Sequence, residues 1–234
     1  FLQTPYVLSV VYQASVVLLE TSDTPSEALP VLTPNLYAIP FVNPVISQVA
    51  TPDGSPIVAG STLLASGNNL QGSTVAVSID GTQYAPATAN ATQITLPLPP
   101  GIAAGVHGLQ AVFPVQMGTP PTAHSGFASN VAAFVVQPTA TLASVSASAA
   151  SVNVTPSVLA GQRASLLLNA TAGSPPPAYN LDGGVVAANA TTLSFNVASV
   201  AAGTYLMRLQ IDGAESSLAV DSTGAFAGPT VTVP

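Results

Sequence analysis

The chain has 234 residues, of which two are basic and nine acidic, for a formal net charge of −7; it has no cysteine, 22 prolines and 18 glycines. The lack of cysteine excludes a disulfide framework and thiolate chemistry and removes the commonest ligand of structural zinc, while two cations leave no electrostatic footprint for nucleic acid or anionic lipid. Apolar residues make up 48%, yet no run approaches the ~20 residues of a membrane helix, and evenly spread Pro and Gly leave no room for long helices, so we expect an all-β chain without membrane insertion.

Residues 1–20, FLQTPYVLSVVYQASVVLLE, alternate with period two. Tyr6, Leu8, Val10, Tyr12, Val16 and Leu18 fall on one apolar face, the pattern of a strand with one covered side. At about 3.3 Å per residue the run from Tyr6 to Leu19 spans roughly 45 Å, so we expect a long β-arm whose apolar face packs against another chain. Those six residues are the candidate interface. Residues 21–40 are acidic and Pro-rich and read as an extended linker.

From residue 41 the chain repeats at a period of about 100 residues, the size of a β-sandwich domain. PIVAGSTLLASGNNL (56–70) aligns with PSVLAGQRASLLLNA (156–170), and VSIDG (77–81) with YNLDG (179–183). NATQITLPLPPGIAAGVHGLQAVF (90–113) aligns with NATTLSFNVASVAAGTYLMRLQI (189–211). Short β-branched runs alternate with turn residues in each copy. We therefore expect two tandem Ig-like β-sandwiches, 41–137 and 138–234, behind the arm. Asp80-Gly81, Asp182-Gly183 and Asp212-Gly213 stand where hairpins should turn, because Gly takes positive φ and Asp tolerates it. NVAAFVV (130–136) and PTVTV (229–233) are expected to close the two domains.

Copy one, with SGNNL, VSIDG, ITLPLP and AGVHGLQ, resembles the transcription-factor-like Ig (TIG/IPT) domain. FLQTPYVLSVVYQASVVLLE, FPVQMGTPPTAHSGFASNVAAFVVQPT and YLMRLQIDGAESSLAVD, with the closing GPTVTV, resemble the C-terminal part of a second family. That family is the tail-terminator (cap) proteins of extracellular contractile injection systems of the Photorhabdus virulence cassette type. The resemblance implies that the opening strand ends a terminator domain lying before Phe1. It further implies a non-enzymatic structural role in a bacterial phage-tail-like particle, as terminator or decorating protein, with a homo-oligomeric ring and sheath or tube proteins as partners. Such a particle is assembled in the cytoplasm and then released or attached to a surface.

Catalysis finds few candidates. A hydrolytic triad needs a base, and the two histidines are His107, in the strand GVHGLQAV, and His124, in the loop GTPPTAHSGF. His107 matches Tyr205 of copy two and reads as a half-buried strand side chain; His124 reads as a solvated loop residue. There is no Gly-x-Ser-x-Gly elbow and no His-Glu-x-x-His. Paired carboxylates would have to come from Asp53, Asp80, Asp182, Asp212, Glu215 and Asp221, four of which begin Asp-Gly pairs. Asp212, Glu215 and Asp221 cluster in sequence, but without a calcium-loop pattern. No catalytic residue, metal or cofactor is expected. The two arginines, Arg163 and Arg208, are each expected to find a carboxylate partner. The alternative reading is a surface-exposed, adhesin-like Ig module that recognises a glycan or protein receptor. Tyr84, Phe113 and Phe127 grouped near loop tips would favour it, and the same residues in a core would count against it.

Overall fold

The computed structural model describes residues 43–173 and 176–234. The candidate interface residues Tyr6, Leu8, Val10, Tyr12, Val16 and Leu18, and the linker 21–40, lie outside the described residues. Those described form strands and connecting turns, with no α-helix among them, as the spread of proline and glycine demands.

The first sandwich runs β1 (Val45–Ala50), β2 (Thr62–Asn68), β3 (Ala76–Ile79), β4 (Thr82–Tyr84), β5 (Thr88–Ala89), β6 (Gln93–Pro97), β7 (Gly105–Met117), β8 (Thr122–Ala128) and β9 (Ala132–Val136). One sheet has the order β1-β2-β6-β5; the other is β4-β3-β7-β8, with β9 on β7 as well. All pairings are antiparallel. Alternate residues of the two sheets point inward and meet: Leu63, Ala65, Ile94 and Leu96 from one side, Val77, Ile79, Leu109 and Ala111 from the other. This is the inward–outward alternation of a sandwich.

The second sandwich runs β10 (Thr139–Val145), β11 (Ala149–Val158), β12 (Arg163–Ala170), β13 (Ala178–Val185), β14 (Ala190–Asn196), β15 (Gly203–Ile211), β16 (Ala214–Glu215), β17 (Ala219–Val220), β18 (Phe226–Gly228) and β19 (Thr230–Val233). Its sheets are β10-β11-β14 and β13-β12-β15-β16, with β19 also on β15 and β17–β18 a separate hairpin. Val152, Val154, Leu166, Leu168, Met207 and Leu209 carry its core.

Apart from β5 and the β17–β18 hairpin, which have no counterpart, the strands of the two sandwiches correspond in order. In each, a long strand (β7, β15) pairs its first half with the closing strand (β9, β19) and its second half with the strand after its own hairpin (β8, β16). The third alignment of the internal repeat follows this equivalence, setting β6 against β14 and β7 against β15. The first two do not. The first matches β2 with β12 and the second β3 with β13, yet β2 pairs β1 and β6 whereas β12 pairs β13 and β15. The structural counterpart of β2 is β11, between β10 and β14. The misalignment has a simple cause. β2 and β12 both follow an Ala-Gly turn and both bury alternate small or aliphatic residues, Leu63 and Ala65 in one, Ala164, Leu166 and Leu168 in the other, so neighbouring strands of one sandwich look alike in sequence.

Two of the Asp-Gly pairs do turn hairpins: Asp80 (φ 48°) with Gly81 (φ 89°), and Asp212 (φ 46°) with Gly213 (φ 87°), the two positive values a type I′ turn requires. Asp182-Gly183 does not. It lies within β13, where the register against β12 slips between Ala164↔Gly184 and Ser165↔Asp182 and leaves Gly183 as the extra residue of a bulge. Glycine is needed there because a Cβ would stand 2.7 Å from the Phe195 ring and 3.1 Å from the Ala164 carbonyl oxygen.

Candidate functional site: the Asp80–His107 corner and the joint between sandwiches

Register makes His107 and Tyr205 counterparts: β7 pairs Gly105 with Val136 and β15 pairs Gly203 with Val233, each two residues earlier. Both side chains reach back to the carbonyl four residues upstream. The Tyr205 hydroxyl donates to Ala201 O at 2.7 Å, and His107 Nε2 lies 2.9 Å from Ala103 O. Tyr205 thus makes the tyrosine corner of an Ig-like sandwich, and His107 holds the same place in the first.

Around Tyr205 the corner is apolar and aromatic. Tyr179 meets it edge-on with ring centroids 5.7 Å apart, and the Tyr179 hydroxyl accepts the Ala201 N–H. Burial, then Tyr179 beside it, push the Tyr205 phenol above its ordinary pKa. Around His107 the corner is charged. Asp80, at the tip of the β3–β4 turn, brings Oδ2 to 2.6 Å from His107 Nδ1 and accepts the Gly108 N–H at Oδ1 (2.9 Å). Burial acts to raise the Asp80 pKa, but the Gly108 N–H and the His107 imidazole outweigh it and hold the carboxyl below its ordinary value. Phe134 flanks the ring at 5.7 Å, and the His107 side chain is 13% exposed.

The corner leads into the joint between sandwiches. Ala104, next to Ala103, is buried within the core of the second sandwich, and its carbonyl accepts Gln162 Nε2–H at 2.8 Å. The same Gln162 nitrogen donates to Asp212 Oδ2 at 3.0 Å, while Asp212 Oδ1 accepts the Arg163 N–H. On the connecting segment the Gln137 N–H donates to Ile57 O, and Gln137 Oε1 accepts the Ser217 hydroxyl. Only Gln137 and Pro138 separate β9 from β10, a link short enough to keep the two sandwiches adjacent.

The remaining candidates are dispersed. His124 is exposed on β8 with Nε2 3.0 Å from Thr122 Oγ1. Among the described residues no group of three or more His, Asp and Glu could hold a metal ion. Asp212 is engaged at the joint, Glu215 by Arg208 at 2.7 Å, and Asp221 by Thr223 and Ala225 within its own turn. Asp53 likewise closes its own turn through Ser55. Arg163 pairs with Asp182, so both arginines have carboxylate partners. Arg208, half-buried, also donates to Asn169. Phe113 is 2% exposed in the first core, with Phe127 stacked on it at 5.3 Å and Tyr84 packed against the same core. The three form no aromatic platform at the loop tips. The partner of the Asp80–His107 pair, and the role of Ala104 and Gln162, carry no mark in the sequence. The His107–Tyr205 correspondence is the signal that leads to them.

No curated protein matches this chain. Residues 131–232 match the family described as "Domain of unknown function (DUF8756)", whose match begins at the last strand of the first sandwich. Residues 44–121 match the IPT/TIG domain family; an Ig-like fold of this kind points to a structural or binding module, and this part of the chain is a TIG/IPT Ig-like domain.

Proposed function

We propose that the chain is a non-enzymatic structural component of a phage-tail-like contractile injection particle, a terminator, cap or decorating protein that works through oligomeric β-contacts. Its modules in this reading are the β-arm 1–20, the linker 21–40, and the sandwiches 41–137 and 138–234. The arm docks its Tyr6–Leu18 face on a neighbouring copy in a ring or on sheath or tube protein. Burial at about 25 cal/mol per Å² and main-chain pairing along its edge supply the affinity.

The observation that supports a structural over a receptor-binding role is the joint: two sandwiches linked by two residues, with Ala104 of the first inside the core of the second. A fixed tandem suits a part that holds a place in an assembly. The inward position of Phe113, with Tyr84 and Phe127 against the same core, counts against the alternative, a surface module for a glycan or protein receptor. What supports the contractile-particle reading is the resemblance carried by FLQTPYVLSVVYQASVVLLE, FPVQMGTPPTAHSGFASNVAAFVVQPT and YLMRLQIDGAESSLAVD with GPTVTV.

The test is fractionation of the producing bacterium with an epitope tag on this chain. Sedimentation with sheath-and-tube particles, and tag label at one particle end or along its surface in electron micrographs, is the expected result. A tag found on the cell envelope with no particle beneath it would overturn the proposal.

A further inference from the structure

The two sandwiches close one corner with different chemistry. The Tyr205 hydroxyl keeps its proton at all physiological pH values, so its bond to Ala201 O is permanent. His107 faces an acceptor on each side, Asp80 Oδ2 at Nδ1 and Ala103 O at Nε2. Neither acceptor supplies a proton: one is a carbonyl, the other a carboxyl held ionised. A neutral imidazole carries one N–H and one lone pair, so in either tautomer one contact sets a lone pair against an oxygen. The imidazolium donates to both.

The groups packed on the ring come from three elements: Asp80 from the β3–β4 turn, Ala103 from the segment before β7, and Phe134 from β9. Asp80 is the one titratable group among them. Beyond the corner stand Asp212, bonded to Gln162, and the Arg163–Asp182 pair. Ala103 is covalently followed by Ala104, the residue that enters the second core and accepts Gln162. Whatever frees Ala103 therefore acts on the joint.

We propose that the protonation of His107 sets the firmness of the joint between the two sandwiches: the imidazolium clamps Ala103 and with it Ala104, and the neutral ring releases one side of the clamp and widens the range of angles between the sandwiches. It shares with the particle reading the joint at Ala104, but its test reads the angle between the sandwiches and not their place in an assembly.

The chain contains no cysteine and two histidines, which makes the test direct. In a His124→Gln background, cysteines at the exposed strand positions Gln83 and Ser194 carry a spin-label pair whose distance distribution is read by pulsed electron resonance. The expected distribution is narrow on the acid side of the transition seen in the His107 ring-nitrogen signals and broader on its alkaline side, with the same midpoint. His107→Tyr, which repeats the arrangement of Tyr205, is expected to stay narrow on both sides. A distribution that does not change with pH overturns the proposal, as does a change that survives in His107→Tyr or whose midpoint departs from that of the His107 ring. If His107→Tyr does not fold, the comparison of midpoints decides alone.

Discussion

His107 and Tyr205 occupy the same place in two successive sandwiches, each bonded to the carbonyl four residues before it. The shared function is to fix the approach to the long core strand that pairs with the closing strand, β7 or β15. The difference is electrostatic: Tyr205 is enclosed with Tyr179, and His107 is coupled to Asp80.

Tyr205→Phe is expected to destabilise the second sandwich by about 1 kcal/mol, because it removes the hydrogen bond to the Ala201 carbonyl while leaving the packed ring in place. A fall in the urea midpoint with an unchanged slope is the measurement. An unaltered midpoint would mean that water replaces the hydroxyl and that the corner contributes nothing.

Acid should weaken the fold through a definable set of carboxylates. Asp80 is held below its ordinary pKa by Gly108 and His107, against the opposing effect of burial; Asp53 is lowered by Ser55 and Asp221 by Thr223. A depressed carboxylate adds stability that is fully present above the unfolded value of about 4 and is lost as pH falls through the lower folded value. Urea midpoints should therefore decline below about pH 4, and Asp80→Asn should make the decline shallower. An identical decline in that variant would remove Asp80 from the account.

Local chemistry made much of the fold legible before any coordinates. Short β-branched runs between turn residues pointed to the sandwich strands, and Asp-Gly pairs marked the hairpins at Asp80-Gly81 and Asp212-Gly213, because turn type is decided by two adjacent residues. Equivalence between copies was legible only where a strand has a feature of its own, as β7 and β15 do in the residue that makes the corner. β2 and β12 carry nothing but alternating aliphatics, so an alignment can slip by one strand without penalty. Asp182-Gly183 has the composition of a turn, and what makes it a bulge is the Phe195 ring, contributed from β14. The joint was invisible for the same reason: Ala104 is a small apolar residue with no local reason to belong to a core more than thirty residues further along the chain.

Gly183→Ala tests the bulge. The added Cβ would meet Phe195, itself 2% exposed and enclosed in the core, at 2.7 Å, so the ring cannot swing aside. The expected loss is about 1–3 kcal/mol, the usual range for overpacking, seen as a lower urea midpoint for the second sandwich. A midpoint equal to that of the parent chain would show that β13 can shift outward freely at this point.

The joint predicts that the second sandwich is more stable in tandem than alone. Residues 138–234 expressed by themselves lose the Ala104 methyl from their core and the Gln162 bond to Ala104 O. The methyl is worth roughly 0.8 kcal/mol and the hydrogen bond about 1 kcal/mol net, so the deficit should be about 2 kcal/mol. With Tyr6, Tyr12, Tyr37 and Tyr84 replaced by Phe, tyrosine fluorescence from the buried Tyr205 and its neighbour Tyr179 follows this half of the molecule during urea unfolding. Gln162→Ala should cost about 1 kcal/mol more in the full chain than in isolated 138–234, because the bond to Ala104 O exists only in tandem whereas those to Asp212 and Leu159 are lost in both. If the isolated half matches the tandem in midpoint, Ala104 fills a site that the second core does not need, and the joint positions the sandwiches without stabilising them.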